Sequence, residues 1–193
     1  MPSTRDALLD AAADAALAGD WARTRMADVA RAAGVSRQTL YYEFGSKDRL
    51  AEALAMREAQ RYIAGAEAAY AGHEDRPAEA IGAASEYTLR VAAANPLLKA
   101  VLTDDAGGLL PFLTTRGDAI LAAASTSCAD YLCRQRPDLP RDELRRVAEL
   151  VVRLTLSHLV LPGRRPDEVA AELAHLVDRL LAPAPAQPQG DPA

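Results

Sequence analysis

The sequence is poor in cysteine, histidine and aromatic residues, and these shortages exclude several classes of protein. It has two cysteines, three histidines and one tryptophan among 193 residues, and aromatic residues make up 5% of the chain. Cys128 and Cys133 lie five residues apart on a predicted helix, which is neither a metal-ligand nor a redox spacing. His73, His158 and His175 show no helical pairing. We therefore expect no metal and no cofactor.

Long apolar runs are also missing. None approaches the roughly 18 residues that a membrane-spanning helix requires, and the N-terminus lacks the charged-then-apolar pattern of a signal peptide. We expect a cytoplasmic protein with no membrane contact.

No set of residues typical of catalysis stands out. The chain has no Ser/His/Asp set, no glycine-rich phosphate loop and no paired helical carboxylates, and His158 with Tyr131 does not make a mechanism. We therefore do not expect an enzyme.

The chain also lacks an overall basic charge. Its net charge is −5, which argues against a globally basic coat for nucleic acid. Residues 21–50, however, carry six basic and three acidic side chains, a local net charge of +3, which leaves −8 for the rest. This asymmetry favours contact with DNA at one end of the molecule, although an ordinary solvated face could have the same charge.

Alanine and leucine dominate the composition, and half of the residues are hydrophobic. Residues of this kind favour helices throughout. The length allows one large core, or a small domain followed by a larger one.

The stretch 24–50, TRMADVARAAGVSRQTLYYEFGSKDRL, has the spacing of a helix-turn-helix followed at once by another helix. Thr24 can cap the first helix, and Gly34 supplies the left-handed residue that the turn requires. Ser36 can cap the next helix, and Ser46 the one after it. A generic helical hairpin with a glycine turn is the alternative, but it needs far fewer of these constraints.

These residues resemble the TetR (tetracycline repressor) family of bacterial transcriptional regulators, strongly over residues 5–55 and only in architecture beyond. The resemblance implies an all-α homodimer of about nine helices, with an N-terminal three-helix helix-turn-helix domain and a larger helical domain for ligand binding and dimerisation. It implies a regulator, most simply a repressor, that binds a (pseudo)palindromic operator in double-stranded DNA and is released by a small hydrophobic effector. The effector, the operator sequence and the sign of regulation stay open.

The resemblance also assigns the second helix of the motif to the major groove. Arg37 suits guanine and Gln38 suits adenine, so both are candidates for base readout. Tyr42 is expected to reach a phosphate, whereas Tyr41 stays partly packed. Lys47 adds its charge to a helix N-terminus and so predicts a phosphate clamp. The full DNA-binding set is Thr24, Arg25, Ser36, Arg37, Gln38, Thr39, Tyr41, Tyr42 and Lys47; for Thr24 and Arg25, capping and solvation are the alternative.

Prolines and glycines divide the rest of the chain: Asn95 and Pro96 look like the cap and first position of a short helix, and Gly107 with Gly108 breaks the chain after it. We predict a DNA-binding domain over 1–50, an effector and dimerisation domain over 51–182, and a disordered tail over 183–193. One long helix from Ser46 to about Tyr70 would join the two domains.

Two surfaces are predicted in the larger domain. The effector pocket would be lined by Tyr62, Tyr87, Leu98, Leu102, Leu109, Phe112, Ile120, Tyr131 and His158, for each of which ordinary core packing is the alternative. The dimer interface would use Leu150, Val151, Leu154, Leu161, Leu173, Leu176, Val177 and Leu180, although these stripes could also bury a face within one chain. The alternative for the whole protein is a helical ligand-binding or scaffold protein without DNA function.

Overall fold

The computed structural model describes residues 3–19, 21–73, 75–102, 109–112 and 114–182. In these ranges the chain forms nine α-helices and one 3-10 turn and no β-strand, which confirms the all-α prediction. The predicted tail, 183–193, lies outside the described residues, as does the predicted break at Gly107 and Gly108. The helices are α1 (Thr4–Leu17), α2 (Met26–Ala32), α3 (Arg37–Phe44), α4 (Lys47–Ala69), α5 (Pro77–Ala94), α6 (Pro96–Leu102), α7 (Asp118–Gln135), α8 (Arg141–Val160) and α9 (Pro166–Leu181), and the 3-10 turn is Leu110–Phe112.

Three serines begin helices in the N-terminal region, each by accepting a backbone hydrogen bond at the helix start. Ser3 Oγ accepts from the N–H of Asp6 at 3.1 Å, Ser36 Oγ from Thr39 at 3.0 Å, and Ser46 Oγ from Arg49 at 3.2 Å. The caps predicted at Ser36 and Ser46 are therefore confirmed.

The cap predicted at Thr24 is wrong. Helix α2 begins at Met26, and Arg25 occupies the N-cap position without a side-chain cap. Instead, the backbone N–H of Arg25 donates to Asp28 Oδ2 at 3.2 Å. The Asp28 carboxylate, one turn into α2, thus accepts the hydrogen bond at the start of this helix. The Thr24 hydroxyl is not used as its cap.

Left-handed glycines make both turns around α3. Gly34 has a φ of +69°, as the helix-turn-helix pattern predicts, and Gly45 has a φ of +72° between α3 and α4. An L-residue with a side chain is strained at such angles. Together the two turns hold α3 as a short helix that is anchored by Leu40 and Phe44, both buried.

The core of the N-terminal region does not stop at the end of α3. Leu8 of α1, Trp21 and Leu40 pack in one cluster with Leu54 of α4 and with Val101 of α6. Hydrophobic contacts therefore cross the boundary predicted between residues 50 and 51. Helix α6 is packed against the same small core that carries α3.

A second core joins α5, α7, α8 and α9 in the larger part of the chain. Its closest crossing lies at Gly82 of α5. A Cβ built on Gly82 would lie 2.9 Å from the carbonyl oxygen of Ala170 and 3.0 Å from the Cβ of Ala174, both on α9. Glycine is required here by the approach of the two helices and not by its backbone angles.

Replacing Gly82 with valine should force α5 and α9 apart. We expect the free energy of unfolding to fall by about 1–3 kcal/mol, the usual cost of overpacking. Thermal or urea unfolding measures this change. Gly163→Val is the matched control, because a Cβ at Gly163 meets nothing within 4 Å; equal losses in the two variants would contradict the crossing as described.

Candidate functional site

Helix α3 presents an exposed polar surface on the side away from its buried Leu40 and Phe44. Arg37, Gln38 and Tyr42 are all exposed, and Tyr42 is 89% exposed, the largest value among the exposed large hydrophobic side chains. The fold gives no packing reason for a tyrosine in that position. Its phenol ring and hydroxyl are therefore available to a partner.

Tyr41 has a different role from its neighbour. It is 40% exposed, and the guanidinium carbon of Arg37 lies 5.2 Å from the centroid of its ring. Arg37 Nη2 also donates to Tyr41 Oη at 3.5 Å. Tyr41 thus forms a platform that restricts the orientation of Arg37, in keeping with its predicted partial packing.

Ser36 and Thr39 are engaged with each other at the start of α3. Their hydroxyl oxygens lie 2.8 Å apart, and Ser36 Oγ also caps the helix. Thr24 is half-buried and Arg25 is exposed at the start of α2. These four predicted DNA-binding residues therefore lie at the N-terminal ends of α2 and α3, where backbone N–H groups favour anions.

Lys47 is partly buried and already has partners within the chain. Its Nζ donates to the carbonyl oxygens of Trp21 and Ala22, the second at 3.1 Å, and lies 5.1 Å from the centroid of the Trp21 ring. Burial lowers its pKa, an effect that the neighbouring Asp48 opposes. Lys47 ties the start of α4 to the segment between α1 and α2, which is a structural role that the sequence did not predict.

We expect Lys47→Ala to lower both stability and DNA affinity. Two hydrogen bonds from a charged donor and a cation–π contact are lost, so the melting temperature should fall by several degrees. The binding loss should be equal for specific and random DNA, and the slope of log affinity against log salt should decrease. Calorimetry and salt titrations measure the two effects, with Lys99→Ala as control. An unchanged melting temperature would contradict the structural role.

An apolar cavity of about 160 Å³ lies between α4, α5, α6, α7 and α8. Along α4 its lining runs from Ala51 to Tyr70 at intervals of three or four residues. This stretch of the helix covers about 28 Å at 1.5 Å per residue. The lining therefore follows α4 over much of its length, and α4 begins directly after α3. Its lining consists of Ala51, Leu54, Ala55, Glu58, Ala59, Tyr62, Ile63, Ala66, Tyr70, Ile81, Ala84, Ser85, Thr88, Asn95, Leu97, Leu98, Val101, Leu109, Ile120, Ala124, Ser127, Cys128, Val151, Val152, Thr155, Leu156, Leu159 and Val160.

Four of the residues predicted for a pocket line this cavity: Tyr62, Leu98, Leu109 and Ile120. Four others do not, namely Tyr87, Leu102, Tyr131 and His158, and the side chain of Phe112 is not among those described.

Two of the residues outside the lining have clear packing roles instead. The ring of Tyr87 lies directly over Gly65 of α4, where any Cβ would overlap it. Tyr131 is buried and stacks on Tyr70 with ring centroids 4.0 Å apart. Both tyrosines therefore pack helices together behind the cavity wall.

The sequence did not indicate Glu58, Asn95 or Cys128 as lining residues. Cys128 is buried beside Tyr70, and burial raises the pKa of its thiol to about 12, which leaves it protonated and unreactive at neutral pH. One pattern in the sequence could have indicated a cavity beside α4: the residues on one face of the helix between Ala51 and Ala66 are mostly small and apolar. Such a face leaves space between α4 and its neighbours.

The predicted interface residues separate into two groups. Val151, Leu173 and Val177 are buried in the protomer's own core. Their assignment to an interface is corrected, because they pack against neighbouring helices of the same chain. Leu150 is 41% exposed and Leu161 is 74% exposed, while Leu154, Leu176 and Leu180 are half-buried. Leu154 and Leu180 also pack against the protomer's own core, which leaves Leu150 and Leu161 as the exposed members of the predicted interface.

Ion pairs connect α4 with the segments on either side of it. Arg57 Nη1 lies 2.7 Å from Asp10 Oδ1 of α1, and its Nε lies 3.6 Å from Glu58 Oε1, whose side chain lines the cavity. On the other side, Arg116 contacts Asp48 at 3.3 Å and Glu52 at 2.9 Å. The Arg57 bridge, formed by Arg57 with Asp10 and Glu58, therefore connects the cavity wall to α1.

Within the described ranges, no group of three or more His, Cys, Asp or Glu residues is placed to hold a metal ion. None of the described helices is long and apolar enough to cross a membrane.

Comparison with known proteins identifies both parts of the chain. The model of bacterial regulatory proteins of the tetR family matches residues 8–54, and the model of the bacterial tetracyclin repressor C-terminal domain matches residues 77–179. The HTH-type transcriptional regulator AlkX of Mycobacterium tuberculosis is 35% identical over 174 residues, which are 90% of this chain and 82% of that protein.

Solved structures agree with these matches. The TetR family repressor AlkX from Dietzia sp. strain DQ12-45-1b, implicated in biodegradation of n-alkanes, is 28% identical and has a TM-score of 0.75; 92% of this chain and 95% of that chain are covered. The R. erythropolis repressor QsdR has the same fold, with 23% identity and a TM-score of 0.65 over 92% of this chain and 94% of that chain. The helix-turn-helix geometry, the two family models and the identity with a curated regulator all lead to one conclusion: the chain is a DNA-binding transcriptional regulator that belongs to the TetR family.

Proposed function

We propose that this regulator is a repressor that binds a (pseudo)palindromic operator as a homodimer and leaves it when a small hydrophobic effector enters the cavity. The observation that carries the proposal is that α4 begins beside the DNA-reading helix and forms one wall of an apolar cavity, which it lines from Ala51 to Tyr70. A single rigid element thereby touches both sites. Operator binding of this kind takes place in the cytoplasm.

Base readout is assigned to Arg37 and Gln38, since both are exposed on the first turn of α3. Tyr42, which has no packing role, is assigned to a phosphate. Ser36, Thr39, Thr24 and Arg25 surround these residues and are assigned to the DNA backbone. Lys47 is assigned to the backbone as well, with the third hydrogen of its ammonium group, while it holds the segment around Trp21.

Dimerisation is supported by the exposed apolar side chains of α8 and α9, above all Leu150 and Leu161. One helix of eight residues provides too few contacts for specific affinity, whereas a two-fold dimer provides a second half-site. Two such helices from each protomer form a four-helix bundle.

Effector binding is supported by the chemistry of the cavity. Its lining is largely alanine, leucine, isoleucine and valine, which suits a hydrophobic ligand. The Dietzia relative is implicated in biodegradation of n-alkanes. We assign the present cavity to a molecule of the same general character.

Coupling between the sites is assigned to α6 and α4. Leu97 and Val101 of α6 line the cavity and also pack against the core of the N-terminal region. A ligand that displaces α6 therefore disturbs the support of α3. The effector needs only to prefer the conformation that does not bind DNA, and a preference of about 1–3 kcal/mol is typical of such coupling.

The Arg57 bridge predicts a variant with altered coupling. Arg57→Met keeps an apolar stem of similar length but loses the contacts with Asp10 and Glu58. We expect operator affinity without ligand to change by less than about tenfold, because the contacts are partly exposed. The ratio of operator affinity without ligand to operator affinity with ligand measures the coupling between the two sites. This ratio should fall by a larger factor than the affinity without ligand. Anisotropy titrations measure operator affinity with and without ligand, with Arg76→Met as control, because Arg76 pairs with Glu79 outside the cavity lining. An unchanged ratio in Arg57→Met would contradict a role for the bridge.

The proposed function as a whole is tested by a gel shift with DNA from upstream of the gene and of its neighbours. Retardation of one fragment at moderate salt, competed by excess of the same fragment and not by random DNA, supports a specific repressor. Failure to retard any fragment even at low salt would favour a ligand-binding or scaffold protein without DNA function.

A further inference from the structure

The polar groups that line the cavity are almost all satisfied within the protein. Thr155 Oγ1 donates to the carbonyl of Val151 at 2.9 Å and lies 3.3 Å from Ser85 Oγ, whose hydroxyl can donate to it. Thr88 Oγ1 donates to the carbonyl of Ala84 at 2.8 Å, one turn before it in the same helix. The hydroxyl hydrogens of Thr88 and Thr155 are therefore already used within the protein and are not available to a ligand.

Tyr62 is different. Its Oη is buried and has no hydrogen bond of good geometry among the described residues. Burial raises the pKa of Tyr62 and a contact with the Asn95 side chain opposes that rise, so Asn95 lies beside the phenol without completing a hydrogen bond of ordinary geometry. Asn95 Oδ1 already accepts from the backbone N–H groups of Leu97 and Leu98, at 2.9 and 3.1 Å, where it caps α6. A buried hydroxyl left without a partner is costly, and a ligand acceptor would remove that cost.

The charge of the lining is equally informative. Among the described residues it contains no lysine, arginine or histidine, and its single charged member is the acid Glu58. Arg57 and Arg61 line a neighbouring surface groove between α1, α4, α5 and α6, where both pair with Glu58 and Arg57 also pairs with Asp10. An anionic ligand in the cavity would therefore lie beside the Glu58 carboxylate, and the two arginines nearest to it are already paired.

We propose that the effector is an uncharged, straight-chain molecule with one oxygen acceptor, such as a fatty alcohol or ester, and that Tyr62 Oη donates a hydrogen bond to that oxygen. The long cavity along α4 holds the chain. The oxygen lies beside Asn95, so the ligand's polar group contacts the residue that caps α6. This inference rests on the proposed effector role of the cavity and names the chemical class that it accepts.

The test uses three ligands with a ten-carbon chain: 1-decanol, methyl decanoate and decanoate. Each displaces the neutral fluorescent probe N-phenyl-1-naphthylamine from the full-length protein, and the release of operator DNA is measured in parallel. We expect the alcohol and the ester to bind at least tenfold more tightly than decanoate. Because decanoate and its methyl ester differ mainly in charge, this comparison needs no variant and stands even if a variant fails to fold.

Two substitutions examine the residues. Tyr62→Phe should weaken decanol binding about threefold to tenfold, the usual effect of one lost hydrogen bond, and should leave the affinity for the probe unchanged. Tyr87→Phe is the matched control, since that phenol lies outside the cavity, and it should change neither affinity. Glu58→Gln should raise the affinity for decanoate and not for decanol.

Each of these measurements either supports the proposed class of ligand or overturns it. Tighter binding of decanoate than of its ester, or an unchanged affinity of decanol in Tyr62→Phe, would overturn it. If decanoate binds more tightly and releases the operator, the proposed repressor function stands and only the ligand class falls. If none of the three ligands displaces the probe or releases the operator, the effector role of the cavity falls as well.

Discussion

Replacement of Leu150 and Leu161 by aspartate is expected to convert the protein into a monomer that no longer binds its operator at physiological salt. Leu150 lies on α8, Leu161 is the residue that caps its C-terminal end, and both side chains are exposed, at 41% and 74%. The opposite face of this helix is fully used within the protomer, because Leu144, Val147 and Ala148 are buried there. The exposed leucines therefore have no partner in the chain, and a contact with a second copy is the simplest reason for them.

The physical basis of the loss is the number of half-sites. One α3 helix reaches one half-site, and the second half-site depends on the second protomer. A charge buried in an apolar helix bundle has no counter-ion and prevents association. We expect operator affinity to fall by about 100-fold or more, while non-specific affinity falls far less.

Analytical ultracentrifugation and anisotropy titration measure the two effects. Val91→Asp is the matched control, since Val91 is also exposed and apolar but lies on α5. The variant should stay folded, because neither leucine contributes to the buried core. A double variant that remains a dimer would contradict the interface proposed on α8.

Replacement of Arg37 by alanine is expected to remove base selectivity. A bidentate contact with guanine contributes about 1–3 kcal/mol, and two protomers double this to about 2–6 kcal/mol for one operator. Affinity for random DNA should fall much less, because Arg37 then acts only as one of several charges. Anisotropy titrations with the selected operator and with a scrambled duplex measure the difference.

The structure supplies a refined control for this prediction. Arg31→Ala removes an equal charge from the neighbouring helix α2, where Arg31 is paired with Asp28 at 2.7 Å. It should affect both duplexes alike. Tyr41→Ala should produce a smaller loss of selectivity than Arg37→Ala, because it removes only the platform on which Arg37 rests. Equal effects of Arg37→Ala on operator and scrambled DNA would refute the readout role.

Features that depend on neighbours in sequence were predictable. Ser36 and Ser46 cap helices that begin one residue later, and Gly34 turns the chain between two helices. Pro77 begins α5 and Pro166 begins α9, as proline at the first helical position suggests. The cap predicted at Thr24 was wrong because two side chains near the start of α2 could accept a backbone hydrogen bond. In the structure Asp28 does so, and the helix begins at Met26.

Features that depend on distant contacts were not predictable. Lys47 reaches the carbonyl oxygens of Trp21 and Ala22, which are about 25 residues earlier in the chain. The helical period showed that Val151 and Val177 belong to apolar stripes. It did not show whether the stripe faces its own chain or a second one, since both environments select the same residues.

The lining of the cavity was also only partly predictable, because it too depends on contacts between distant parts of the chain. Tyr62 could be chosen from the sequence because it is an amphipathic residue on an apolar face. Asn95 was recognised only as a helix cap, and Tyr131 was assigned to the pocket although it stacks on Tyr70. A cavity is a place where packing is incomplete, and a one-dimensional pattern records which residues are buried but not where space remains among them.

The most direct test of the account is selection of the operator from a random DNA library by the full-length protein. We expect two inverted half-sites whose centres are separated by about one helical turn of DNA or a multiple of it. Each half-site should contain a guanine that the wild-type protein selects and the Arg37→Ala variant does not. Enrichment of a single asymmetric site, or no enrichment at all, would contradict it.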